Sequence, residues 1–177
     1  MKTGLAVFAA CLTMVCAGSA PAKGGKPEPP PGVPYSGYSV MCGMIDPGEY
    51  WEADKYAHLR DAVLLYHNVT TSPYTTGWET LFMNYDLRTK SGKGVSWGSL
   101  VFQPDSMAGS FEEDWSATAK HFVWDISGVY LGTGALEGIT VTYELSPRDI
   151  GTVPADACGE GQLIYDAQDI SGYIIFP

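Results

Sequence analysis

The chain is predicted to be all-β: a single antiparallel β-barrel of about eight strands, with a β-sandwich as the alternative. Three observations predict it. Residues 120–147, KHFVWDISGVYLGTGALEGITVTYELSP, are two β-rich apolar runs flanking a glycine-punctuated connection, so the two strands must pair. Period-two patterning recurs in several segments of residues 35–177, clearest in 79–88, 95–103, 120–131 and 139–145, between mostly short Gly- and Pro-containing links. Finally, the helical runs that parallel β-α-β wiring requires are missing. A barrel is preferred because closure removes apolar edges, and because the inner Cys…Trp…Cys spacing of an immunoglobulin sandwich is absent.

Residues 35–41 form the first expected strand, ended by the turn-like Gly43-Met-Ile-Asp-Pro-Gly48. Residues 49–59, EYWEADKYAHL, read as one short helix or an irregular acidic lead-in, because helical spacing brings Tyr50, Asp54 and Ala57 together. Residues 61–70 return to strand character, with Ala62, Leu64 and Tyr66 on one face and Val63, Leu65 and His67 on the other. A hairpin follows: residues 79–88 place Leu81, Met83, Tyr85 and Leu87 on one face, 89–94 turn, and 95–103 return. Residues 110–119, SFEEDWSATA, fit an edge strand or hairpin loop better than the helix that a Ser110–Glu113 capping box would start. Phe122, Trp124 and Ile126 share a face of the next strand, as do Ile139, Val141, Tyr143 and Leu145 of its partner. Residues 146–161 are irregular, and 162–166 and 170–177 finish the chain, the last strand closing beside the first.

Lys2 before the apolar run LAVFAACLTMVCA reads as a signal peptide over residues 1–22, too short to span a bilayer, with small-residue cleavage sites after Ala17 and Ala22. Phe8 and Val15 are unsuited to a lipobox at Cys11 or Cys16, so an exported, secreted or periplasmic product is expected rather than a lipid-anchored one. The Pro/Gly-rich residues 23–34 are a tether, and 35–177 the barrel domain. The mature part retains Cys42 and Cys158, most simply a disulfide in an oxidising compartment. A net charge of −10, with few and scattered basic residues, disfavours nucleic acid and anionic membrane surfaces as partners.

The run Asp125-Ile-Ser-Gly-Val-Tyr-Leu-Gly-Thr-Gly-Ala-Leu-Glu-Gly-Ile139 resembles the G-T-G hairpin of the allene oxide cyclase and dirigent-like barrels, a calycin-like shape. Trp124, Ile126, Gly128, Gly132, Thr133, Gly134, Leu136, Glu137 and Gly138 match that rhythm, while Val129 to Leu131 are an insertion. The resemblance implies a barrel and, in the cyclases, a cofactor-free ring closure within an apolar cavity. It transfers no working residue to this chain.

Chemistry is sparsely signalled. His67, His121 and Asp125 are the weak candidates for an acid–base group, each a polar residue on an otherwise apolar strand, and solvent-facing positions are their ordinary alternative. Glu112-Glu113-Asp114 reads as a solvated charge run, with Asp105 offering at most a weak calcium site beside it. No metal or cofactor motif is present: Gly92, Gly94 and Gly98 lack the ending of a phosphate loop, and the histidines lack ligand spacing. Asn68-Val-Thr70 is a glycosylation sequon. Three functions follow: a secreted binding or structural barrel, a cofactor-free isomerase or cyclase with an apolar pocket, or a surface assembly component. Their partners would be a small apolar ligand or another protein. The isomerase requires a large closed cavity with a polar residue such as His67 or Asp125 at its base; the assembly component requires a filled barrel with aromatics such as Trp51, Tyr74 and Trp78 exposed on one face.

Overall fold

A computed structural model describes residues 31–89, 94–103, 109–120 and 123–177. Among them, nine strand segments follow one another around a single antiparallel sheet: β1 (Val33–Asp46), β2 (Glu49–Ala53), β3 (Tyr56–Thr70), β4 (Gly77–Arg88), β5 (Gly94–Gln103), β6 (Gly109–Lys120), β7 (Val123–Gly134), β8 (Thr140–Pro147) and β9 (Asp166–Ile175). The last strand pairs with β1, and β1 pairs with β3, which closes the sheet into a barrel. β1 and β2 are one interrupted strand: β2 pairs with the start of β3 and β1 with its remainder. Eight strands therefore run around the wall, each beside its neighbour in sequence, and the barrel outcome displaces the sandwich.

The stretch expected as helix or acidic lead-in is instead the hairpin β2–β3. Its turn is Asp54-Lys55, both at positive φ (50° and 70°), the geometry whose twist matches paired strands. Lysine gives no signal for that conformation, whereas Asn-Gly would have. Strand β6 is equally clear of the helix alternative. It lies between β5 and β7 and is no edge.

Two irregularities re-aim side chains. The β1–β3 register shifts between Met41 and Gly43, leaving Cys42 as an extra residue that reaches outward to Cys158, 116 residues away, in a disulfide. The β3–β4 register shifts between Leu59 and Ala62, where Asp61 takes a positive φ of 59°. The disulfide anchors the long β8–β9 connection onto the outside of β1 and β9, where Val40, Ala167, Val153, Ala157 and Cys158 form a second small core.

The main core is the barrel interior. Following ladder partners around one level gives Tyr35, Gly172, Tyr143 and Gly128 on one side, and Trp115, Gly98, Met83 and Ala62 on the other. Large and small residues alternate, so each large side chain lies across a neighbour that makes room for it. At Gly128 the demand is explicit: an added Cβ would sit 2.4–2.6 Å from the Tyr143 ring and hydroxyl. At one end the β7–β8 connection folds inward, and Leu136, 2% exposed, closes the barrel against Gly109 and Gly132. The G-T-G hairpin is thus a lid for the core as well as a turn.

The outward faces of β6–β9 carry exposed Glu112, Asp114, Asp125, Glu144 and Asp169.

Candidate functional site

The interior alternation that places Phe111 and Trp115 inside the barrel places Glu113 there too, and the one that buries Leu81 buries Glu79. Each carboxyl meets a tyrosine. Tyr130 donates to Glu79 Oε2 at 3.0 Å, and Tyr143 donates to Glu113 Oε1. The two phenol rings stack with centroids 4.8 Å apart, so the two acid–phenol pairs lie side by side at mid-barrel. Tyr130 also closes an aromatic cluster with Phe102 and Phe111. Residues 129–131, the insertion relative to the resembled hairpin, are what put Tyr130 there.

Burial raises both carboxyl groups. Glu79 is pushed from 4.5 to about 7 by loss of solvent, opposed by the Tyr130 hydrogen bond and by Asn68. The Asn68 amide lies close enough to favour the anion, though not in hydrogen-bond geometry. Glu113 is pushed to about 8, first by burial, against the pull of Tyr143, and further by the charges of Glu79 and Asp114. The phenols of Tyr35, Tyr66, Tyr130 and Tyr143 are all raised by burial as well, and stay protonated.

A cavity of about 30 Å³ touches this network, lined by Ser39, Tyr66, Glu79, Trp115, Tyr143 and Gln168. That volume suits one or two water molecules, far below the few hundred Å³ of a small-molecule pocket. Nearby, Asn68, Ser96 Oγ, Glu113 Oε2 and Trp115 Nε1 are buried without a hydrogen-bond partner, which makes ordered water their natural complement. Among the described residues, no cluster of three or more His, Cys, Asp or Glu could hold a metal. The pair can hold and pass protons near neutral pH, but the space beside it does not admit an organic substrate.

The residues singled out from sequence lie elsewhere. His67 is half-buried on the outer wall, where its Nδ1 donates to the Ala157 carbonyl at 2.7 Å and its ring stacks on Trp78 at 4.6 Å, so it helps hold the β8–β9 connection down. Asp125 is exposed on β7 and lines an open outer groove of about 640 Å³ with Glu144, Arg148, Asp169 and several serines. His121, like Asp105 and Cys11 and Cys16, lies outside the described residues. The sequon asparagine, Asn68, is 0% exposed inside the barrel and unavailable to a glycosylating enzyme in the folded protein. The charge run divides: Glu112 and Asp114 face out, Glu113 in. Sequence reasoning missed Glu79 and Glu113, although both are in phase with apolar residues two positions away, the one signal that could have revealed them.

The opposite stretch of outer wall is aromatic. Trp51, Phe82 and Trp97 are exposed on β2, β4 and β5. The Arg60 guanidinium lies 5.2 Å from the Trp51 ring and 4.7 Å from the Trp97 ring, and donates to Asp86 at 2.8 Å. Trp78 is also exposed, near the far end of β4, while Tyr74 is partly buried and packs against the core with Phe176 edge-on to it.

The fold and site together define an eight-stranded, antiparallel, up-and-down barrel of calycin-like shape, disulfide-clasped, with a compatible binding or structural role. No family model, curated protein or solved structure matches the chain.

Proposed function

We propose that this chain is an exported binding barrel that works through its outer wall. One observation carries the reading: the interior cavity holds about 30 Å³, while Trp51, Trp78, Trp97 and Phe82 are presented outside. Solvating four large rings is costly, and surfaces that retain such rings commonly contact a partner. The Cys42–Cys158 bridge supports an oxidising, extracytoplasmic destination, in keeping with the signal-like residues 1–22.

The test is expression of the full chain in a secreting host. Intact and native mass spectrometry are expected to show a trimmed N-terminus, two cysteines bridged, and no organic molecule retained. An organic ligand that stays bound when Trp51, Trp78, Trp97 and Phe82 are all replaced by serine would place the working site inside the barrel and end this reading.

A cofactor-free isomerase is the second reading, favoured by the two raised carboxyls beside their phenols. It requires the barrel to open well beyond the cavity described. Its signature would be an activity abolished by Glu79→Gln and by Glu113→Gln in variants that melt at or above the wild-type temperature.

A further inference from the structure

On the outer wall, β3 to β6 bound a groove of about 440 Å³, lined by Asp61, Phe82, Asn84, Trp97, Ser99 and Asp114. Its arrangement follows from register. Phe82, Ser99 and Asp114 are successive ladder partners, and Asn84 is the partner of Trp97 in the adjacent row. The two rings are therefore diagonal neighbours, with the hydroxyl, amide and carboxylates on the ladder positions around them. Gly98 and Trp115, whose side-chain positions face the barrel interior, complete the lining beneath them.

The groove is held in shape. Arg60 donates to the carbonyls of Leu59 and Tyr85 at 2.7 and 2.8 Å and to Asp86, and so presents a fixed cation to the Trp97 ring. Asp61 occupies the bulge at positive φ, and its backbone N–H donates to Asn84 Oδ1 at 3.1 Å. That bond uses one lone pair of the oxygen and leaves the NH₂ donor pair of Asn84 free to meet a ligand acceptor.

A ligand that fits must offer flat C–H faces to Trp97 and Phe82, hydroxyl donors to Asp61 and Asp114, and an acceptor to Asn84. It must carry no negative charge: two carboxylates line the groove, and the Arg60 guanidinium beside Trp97 is taken by Asp86. A pyranose ring combines an apolar face with a rim of hydroxyls, and the groove has room for one or two. We propose that this groove binds a neutral oligosaccharide. The proposal rests on the outer-wall reading above and names its ligand class.

The experiment uses the processed full-length protein in native gels containing neutral polysaccharides (cellulose derivatives, xylan, β-1,3-glucan, soluble chitin oligomers) or anionic ones (alginate, polygalacturonate). Retardation by at least one neutral polymer and by neither anionic polymer is expected, with a blue shift of tryptophan emission on titration with the matching hexasaccharide. Trp97→Ala and Phe82→Ala should each weaken binding about ten-fold or more, Asp114→Asn should weaken it to a smaller degree, and the melting temperatures should stay near that of the wild type. Leu163→Ala, on the exposed β8–β9 connection and outside the aromatic wall, should leave binding intact. No retardation by any neutral polymer in the set, or retardation that survives Trp97→Ala, overturns the proposal. Light scattering and co-purification on the same samples separate the two levels. Self-association or a bound protein lost in Trp97→Ala, without glycan binding, sinks the glycan and keeps the outer wall. A ligand retained inside the barrel sinks both.

Discussion

Inside the barrel and on its aromatic outer wall, carboxyl groups accept hydrogen bonds from different partners, with opposite electrostatic results. Glu79 and Glu113 each accept a hydrogen bond from tyrosine, yet burial dominates and lifts both carboxyls toward neutrality. Asp86 on the outer wall also pays for partial burial, but hydrogen bonds from Arg60 and His58, with their charges, outweigh it and hold the carboxyl below its ordinary value. A neutral phenol cannot replace the water that a carboxylate loses; a cation can. The lesson is that the interior is stable with its acids protonated, whereas the wall is stable with its acid ionised.

The largest expected effect breaks that contrast by pH. Below about 4.5 Glu79 and Glu113 are protonated whether the chain is folded or not, and they impose no penalty. As pH rises from there, the unfolded chain loses its protons first, the fold binds more, and stability falls until the folded groups ionise near 7 and 8. Each group contributes about 1.4 kcal/mol per pH unit while the two states differ, a total on the order of 8 kcal/mol. Thermal unfolding should therefore occur at a clearly lower temperature at pH 8.5 than at pH 5, and Glu113→Gln should flatten the upper part of the curve. A melting temperature that rises steadily over that interval would mean the acids are solvated.

Next in size is the clasp. Cys42→Ser with Cys158→Ser frees a loop of 116 residues and should cost about 3–5 kcal/mol, read from urea unfolding under non-reducing conditions. The same loss should appear when the wild type is reduced, and Trp97-dependent binding should persist wherever the barrel remains folded.

Gly128→Ala sharpens the interior half. Its methyl would enter the Tyr143 ring and disturb the hydroxyl that serves Glu113, at a cost of about 1–3 kcal/mol in urea unfolding. Because Tyr143 supports the Glu113 anion, the substitution should also raise that carboxyl further, moving the steep part of the pH curve upward. On the wall, Trp97→Ala should cost only about 1 kcal/mol, since the ring is 37% exposed and Arg60, though it loses this contact, keeps Trp51 and Asp86. A large loss there would show that Trp97 is structural.

Much of the barrel was legible along the chain. The strand faces of residues 62–66, 81–87 and 139–145 appear in the structure as expected, because period two is a local consequence of the pleat. The β2–β3 hairpin was not, because Asp54-Lys55 adopts a turn that lysine does not advertise and only the pairing with β3 and β4 enforces. For the candidate site, polar residues on apolar strands were a sound class of signal, but the named ones, His67 and Asp125, lie on the outside. Glu113 was hidden within a run of three acids whose alternation was visible only once the segment was known to be a strand.

By itself, then, the amino-acid order determined the all-β class, the inward stripes and the cysteine pair, since these depend on side-chain period, turn residues and composition. Only the closed sheet decided that Tyr143 lies between two glycines, that two acids share the buried interior with phenols, and that Trp51 and Trp97 flank one guanidinium. Those relations join strands far apart in sequence. Their energies come from burial and cross-strand proximity, which no local pattern encodes.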